Sequence, residues 1–204
     1  MVQIFSLLFI VATICTSVHA FSKATGSCAA GNKAIISEPH TTATKITTGS
    51  LATGGFSVKL GSTKLLTTTT STFTVGVATT LTISGTKAFT GFFARLGEVG
   101  GVQTDTAFTG TGNVQVPKVC IAAGVGGICQ TSASSKTSVT ATLKLGSAAA
   151  SMPLDVTIVV VGNDNVSEYY YTQFKISAVA AKVPTKVPTK KPTKRPTLRP
   201  TVKK

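Results

Sequence analysis

The stretch Val139-Thr140-Ala141-Thr142-Leu143-Lys144-Leu145 alternates apolar and polar residues without a break. That period of two places Val139, Ala141, Leu143 and Leu145 on one face of an extended chain and Thr140, Thr142 and Lys144 on the other. It predicts a strand with one face in a core and the other in water.

The same rhythm recurs on either side. Phe56, Val58 and Leu60 alternate with Ser57 and Lys59, and Tyr170, Thr172, Phe174 and Ile176 set one face inward while Gln173 and Lys175 stay outside. The run from Leu154 to Val161 is apolar on both faces after Asp155, as expected of a central strand covered on both sides. Turn signals separate these runs at Gly54-Gly55, Gly61-Ser62, Gly100-Gly101, Gly110 to Asn113 and Gly162 to Asn165. β-branched residues dominate, helix formers rarely cluster, and no span carries a sustained helical pattern. Many short strands with regular punctuation predict a two-sheet, all-β sandwich over residues 21–181.

The two ends read differently. The apolar run Ile4 to Cys15, followed by Val18 and Ala20 as a small-x-small cleavage site, predicts a secretory signal peptide over residues 1–20. Phe21 directly after that site also resembles the plastid-entry signal of some algae, with Cys28 and the first strands leaving little room for a transit peptide. At the other end, residues 182–204 repeat Val-Pro-Thr-Lys, Val-Pro-Thr-Lys, Lys-Pro-Thr-Lys, Arg-Pro-Thr-Leu and Arg-Pro-Thr-Val, with prolines at 184, 188, 192, 196 and 200. Those prolines prevent an amide ladder and like charges repel, so a disordered, extended tail is expected.

Of the whole-chain net charge of +14, the tail carries nine units: Lys182, Lys186, Lys190, Lys191, Lys194, Arg195, Arg199, Lys203 and Lys204, with no acid among them. The sandwich region is therefore only mildly basic and is not read as a nucleic-acid binder. The tail is expected to attract anionic polysaccharide, a cell wall or a mineral surface without sequence-specific nucleic-acid recognition. The other use of such a segment is as a spacer that holds the domain off a surface.

Three cysteines follow the signal peptide, Cys28, Cys120 and Cys129, and the sequence alone permits any of three pairings with one thiol left over. Asn165-Val166-Ser167 is an N-glycosylation sequon at a predicted turn. No catalytic residue, cofactor site or metal site is assigned. His40 lies beside Pro39 and Thr41 with no orienting acid nearby, and Asp164 with Glu168 makes a poor calcium cage. Phe89, Phe92 and Phe93 are expected in the core.

The order of motifs resembles the reeler domain, the reelin N-terminal domain family. Phe89-Thr90-Gly91-Phe92-Phe93 looks like that family's Phe-x-Gly-Phe-Leu core, preceded by a strand resembling Thr80 to Gly85. Ser134 to Val139, Asp155 to Val161 and Tyr169-Tyr170-Tyr171 look like its later strands, and the likeness spans roughly residues 25 to 178. Departures are Gln130 where many members carry His, Leu143 for a common Trp, Arg95-Leu96 closing the first motif, and the extra Cys129. The resemblance implies an immunoglobulin-like antiparallel β-sandwich with Cys28 bonded to Cys120, leaving Cys129 free or linked to another chain. It further implies a secreted, non-enzymatic extracellular or cell-wall binding and adhesion module. The alternative is a secreted defence protein whose basic tail engages anionic microbial surfaces.

Overall fold

A computed structural model describes Cys28 and residues 45–161 and 167–181. The predicted signal peptide, His40, the Asn165 sequon with its turn, and the basic tail lie outside these described residues.

Among the described residues the chain forms twelve strands and one short helix. In chain order these are β1 (Lys45–Gly49), β2 (Phe56–Leu60), β3 (Thr63–Lys64), β4 (Thr70–Thr74), β5 (Thr79–Phe89), β6 (Gly91–Leu96), β7 (Phe108–Gly110), β8 (Val114–Gln115), α1 (Lys118–Ala122), β9 (Gly126–Gln130), β10 (Lys136–Leu143), β11 (Ala149–Val161) and β12 (Ser167–Val179). They build the expected immunoglobulin-like sandwich of two sheets. One has the order β1-β12-β11-β6-β9-β8 with β4 also on β12; the other runs β3-β2-β5-β10-β7. Most pairings are antiparallel, but β1 and β4 both run parallel to β12.

Burial follows the period of two. Phe56, Val58 and Leu60 on β2, Leu81 and Ile83 on β5, and Val139, Ala141 and Leu143 on β10 point into the core, and Leu145 just beyond β10 joins them. Facing them from the other sheet are Leu154, Val156 and Ile158 of β11 and Tyr170, Phe174 and Ile176 of β12. Strands β2 and β3 are joined by the two residues Gly61-Ser62, with Gly61 at φ +60°, the left-handed conformation such hairpin turns require.

The Phe89 motif is where the chain changes sheets. β5 ends at Phe89 in the five-stranded sheet, and β6 begins at Gly91 in the seven-stranded one. Lys136 fastens this corner: its ammonium donates to the backbone carbonyls of Thr90, Ser132 and Ser134 and lies 5.9 Å from the Phe89 ring centre. Phe89 and Phe92 meet edge to face at 6.4 Å within the core, whereas Phe93 points to the opposite face. All three phenylalanines are buried, as expected.

β11 is covered on both sides, as its run of residues apolar on both faces after Asp155 predicted. Its outer face, with Asp155, Thr157 and Val159, is buried too, and Cys28, Phe93, Cys120, Val125 and Cys129 form a second small cluster apart from the main core. Helix α1 is an element the sequence pattern did not anticipate. Five residues begun by Pro117 are too few to generate a helical period.

Candidate functional site

Cys28 and Cys120 are disulfide-bonded across 92 residues, the pairing the resemblance implied. The bond rests on β9 at Gly127. A Cβ on Gly127 would collide with the Cys120 sulfur, so only glycine leaves room for the bridge. Two residues on, Cys129 is a buried free thiol in the same cluster. Burial pushes its pKa up to about 11, against a smaller opposing effect from a hydrogen bond with Gln115.

Beside the disulfide lies a fully buried ion pair. Arg95 of β6 donates to Asp155 of β11 at 2.9 Å, and its other terminal nitrogen reaches the Cys28 carbonyl at 3.4 Å. Asp155 also accepts from the Tyr171 hydroxyl and from Gln173 Nε2 at 2.9 Å. Burial, and then the bond to Asp155, raises the Tyr171 pKa, so the hydroxyl keeps its proton as a donor. The sequence carried a signal for this pair: Arg95 and Asp155 are the lone charges in two mostly apolar strands. Gln130, at a position of departure from the family pattern, accepts from the Phe92 backbone N–H through Oε1 at 3.0 Å.

Glu168 is engaged elsewhere than in a cation cage. Its carboxylate accepts from Lys87 at 2.7 Å and from the Tyr170 hydroxyl at 2.6 Å. Those two bonds, Lys87 first, lower the Glu168 pKa, and the bond to Glu168 is the leading cause that raises that of Lys87. Asp164 lies outside the described residues. Among the described residues no group of His, Cys, Asp or Glu is arranged to hold a metal, and no helix is long and apolar enough to cross a membrane.

The concave feature with mixed chemistry is a groove of about 550 Å³ at the edge where β4 approaches β3 and the start of β5. Thr63, Thr70, Thr72 and Thr79 line it together with Lys64, the Thr72 hydroxyl being bonded to that of Ser177 at 2.8 Å. Leu66 and Val77, each about half exposed, complete its wall. A smaller, more apolar hollow adjoins it across Lys64 and Leu66, floored by Leu51, Phe56 and Phe174. These threonines carry no distinct sequence signal, because hydroxyl residues on exposed strands are ordinary until a fold gathers them into a concave surface.

No protein-family model matches the chain, and no curated protein matches it. Among solved structures, the chain is similar to the human F-spondin reeler domain (fragment 1), with a TM-score of 0.46 and 13% identity over 67% of this chain and 95% of that one. It is likewise similar to the Reelin-N domain of F-spondin, with a TM-score of 0.46 and 13% identity over 67% of this chain and 92% of that one.

Proposed function

We propose that the chain is a secreted, non-enzymatic binding module of the extracellular space or cell wall, in which a disulfide-pinned sandwich carries a polycationic segment that engages anionic surfaces. The observation that carries this reading is the division of charge. Nine cations and no acid fall in residues 182–204, while the rest of the chain holds all six acids. Regularly spaced cations on such a segment attract acidic or sulfated polysaccharide, wall polymers or mineral through released counterions rather than shaped contacts. Export is supported by the Cys28–Cys120 bridge, a bond that persists in oxidising compartments.

Retention of the full-length chain on immobilised heparin, followed over a salt series, tests the reading. Binding should fall steeply as salt rises, and deleting 182–204 should remove most of it while leaving thermal unfolding unchanged. Full retention by the truncated chain, or none by the full chain, overturns it.

A further inference from the structure

We infer that the chain pairs with a second copy of itself through an apolar surface built from the β6–β7 loop and the outer side of α1.

Among the described residues seven large hydrophobic side chains are exposed, and four of them fall on these two segments. Val99 and Val102 lie in the loop, Val119 and Ile121 on the helix, each between 41% and 61% exposed. Backbone hydrogen bonds join the segments. The Thr104 N–H donates to the Gly124 carbonyl at 3.1 Å, and the Gly124 N–H donates to the Ile121 carbonyl at 3.0 Å. The Thr104 hydroxyl accepts from the Gly126 N–H at 2.8 Å. The loop that carries the valines therefore ends against the turn that closes the helix. Exposed apolar side chains scattered singly are ordinary, whereas a gathered set marks a contact surface.

Both halves are held firmly. The Gly101 N–H donates to the Glu98 carbonyl at 3.0 Å, closing a turn with Val99 and Gly100 at its corners, and Gly100 takes the left-handed φ of +79°. Helix α1 buries only Cys120, and the bridge to Cys28 pins it there. Val119 and Ile121, on either side of Cys120, are left in water. A surface fixed in this way loses little freedom on association.

The charges beside the apolar residues select the occupant. Glu98 precedes Val99 in the loop, and Lys118 opens α1 at its end away from Gly124. Both are exposed, and neither is in an ion pair among the described residues. One acid and one base cancel, so the surface exerts no pull on an anionic membrane. None of its four apolar residues is an aromatic of the kind that anchors proteins at a lipid interface. A second copy complements it. In a two-fold contact every residue pair occurs twice with the roles exchanged. Glu98 then meets the partner subunit's Lys118 and Lys118 meets the partner subunit's Glu98, with the apolar side chains between them. An apolar centre within a polar rim is the usual anatomy of such contacts.

Sedimentation velocity of the full-length chain without reductant tests the pairing, at about 0.15 M salt, where exposed charges are screened beyond ~8 Å. As concentration rises through the micromolar range, the chain should pass from monomer to a species of twice the mass. V119D/I121D, which places acids at two exposed positions, should raise the dissociation constant about tenfold or more, with an unchanged thermal midpoint showing that the fold is kept. E98K and K118E should each weaken pairing about tenfold, since each creates two like-charge contacts, and the double variant E98K/K118E should restore it. A monomer at every concentration overturns the inference. So does pairing that V119D/I121D leaves intact, or pairing that survives denaturing electrophoresis without reductant and is therefore covalent. Single charge variants that pair as tightly as the unaltered chain, or a double variant that does not recover, overturn the two-fold arrangement. A chain that stays monomeric yet floats with phosphatidylcholine vesicles, and no longer does so as V119D/I121D, overturns the second copy and gives the surface to a membrane.

Discussion

Arg95 and Asp155 face each other in register on neighbouring strands, and each is 1% exposed or less. Their bond closes the sheet face beneath the disulfide, so the pair and the bridge stabilise the same surface. Removing one partner strands the other charge without water. Asp155→Ala should cost about 3–5 kcal/mol, whereas replacing both residues together with apolar residues of similar volume should cost much less. Urea unfolding of the two single variants and the double variant measures the coupling.

Opening the Cys28–Cys120 bridge frees a loop of 92 residues in the unfolded chain. Cys28→Ala with Cys120→Ala should lower stability by about 2–5 kcal/mol. Peptide mapping under non-reducing conditions should find Cys28 joined to Cys120 and a free thiol at Cys129.

Alkali should destabilise the sandwich. Cys129, Tyr169 and Tyr171 all hold their protons more firmly in the folded state, chiefly because they are buried. The folded chain therefore binds more protons than the unfolded one once pH exceeds the ordinary thiol value of 9.0, and stability falls from there as pH rises through about 11. Lys136, whose pKa is lowered by burial, acts in the opposite sense. Cys129 accounts for on the order of 2–3 kcal/mol of the loss. Thermal melts between pH 8 and 11 should show a shallower decline in Cys129→Ala than in the unaltered chain.

Gly85 lies against the Phe56 ring, where a Cβ would overlap the ring carbons. Gly85→Ala should cost about 1–3 kcal/mol by overpacking. The spectroscopic environment of Phe56, which stacks near Phe89 at 5.9 Å and Tyr170 at 5.2 Å, should change with it.

The strands that alternate cleanly were legible in the sequence because side-chain period and burial are the same geometric fact. Val139 to Leu145, Phe56 to Leu60 and Tyr170 to Ile176 each behave as read. The short edge elements were not. β3 and β8 are two residues each, too brief to show a period, and β9 reads as a glycine-rich loop because Gly126 and Gly127 make room for neighbours rather than supply side chains. The parallel pairing of β1 and β4 on β12 was equally hidden, since alternation states which face is buried and not which strand lies alongside. Of the candidate sites, the cysteine pairing followed from motif order. The groove did not, because Thr63, Thr70 and Thr79 converge only after β3, β4 and β5 take their places.

That parallel pairing has a consequence for how the molecule is made. Thr72 of β4 bonds its hydroxyl to Ser177, 105 residues further along the chain, and β1 likewise waits for the start of β12. On a ribosome delivering the chain from its N-terminus, β2, β3, β5 and β10 can assemble while β1 and β4 have no partner. The last strand then completes the other sheet in a single late step. Contacts so distant in sequence close slowly, and unpaired edges invite association while they wait. Folding should be rate-limited by the arrival of β12, and chains halted before Ser167 should aggregate.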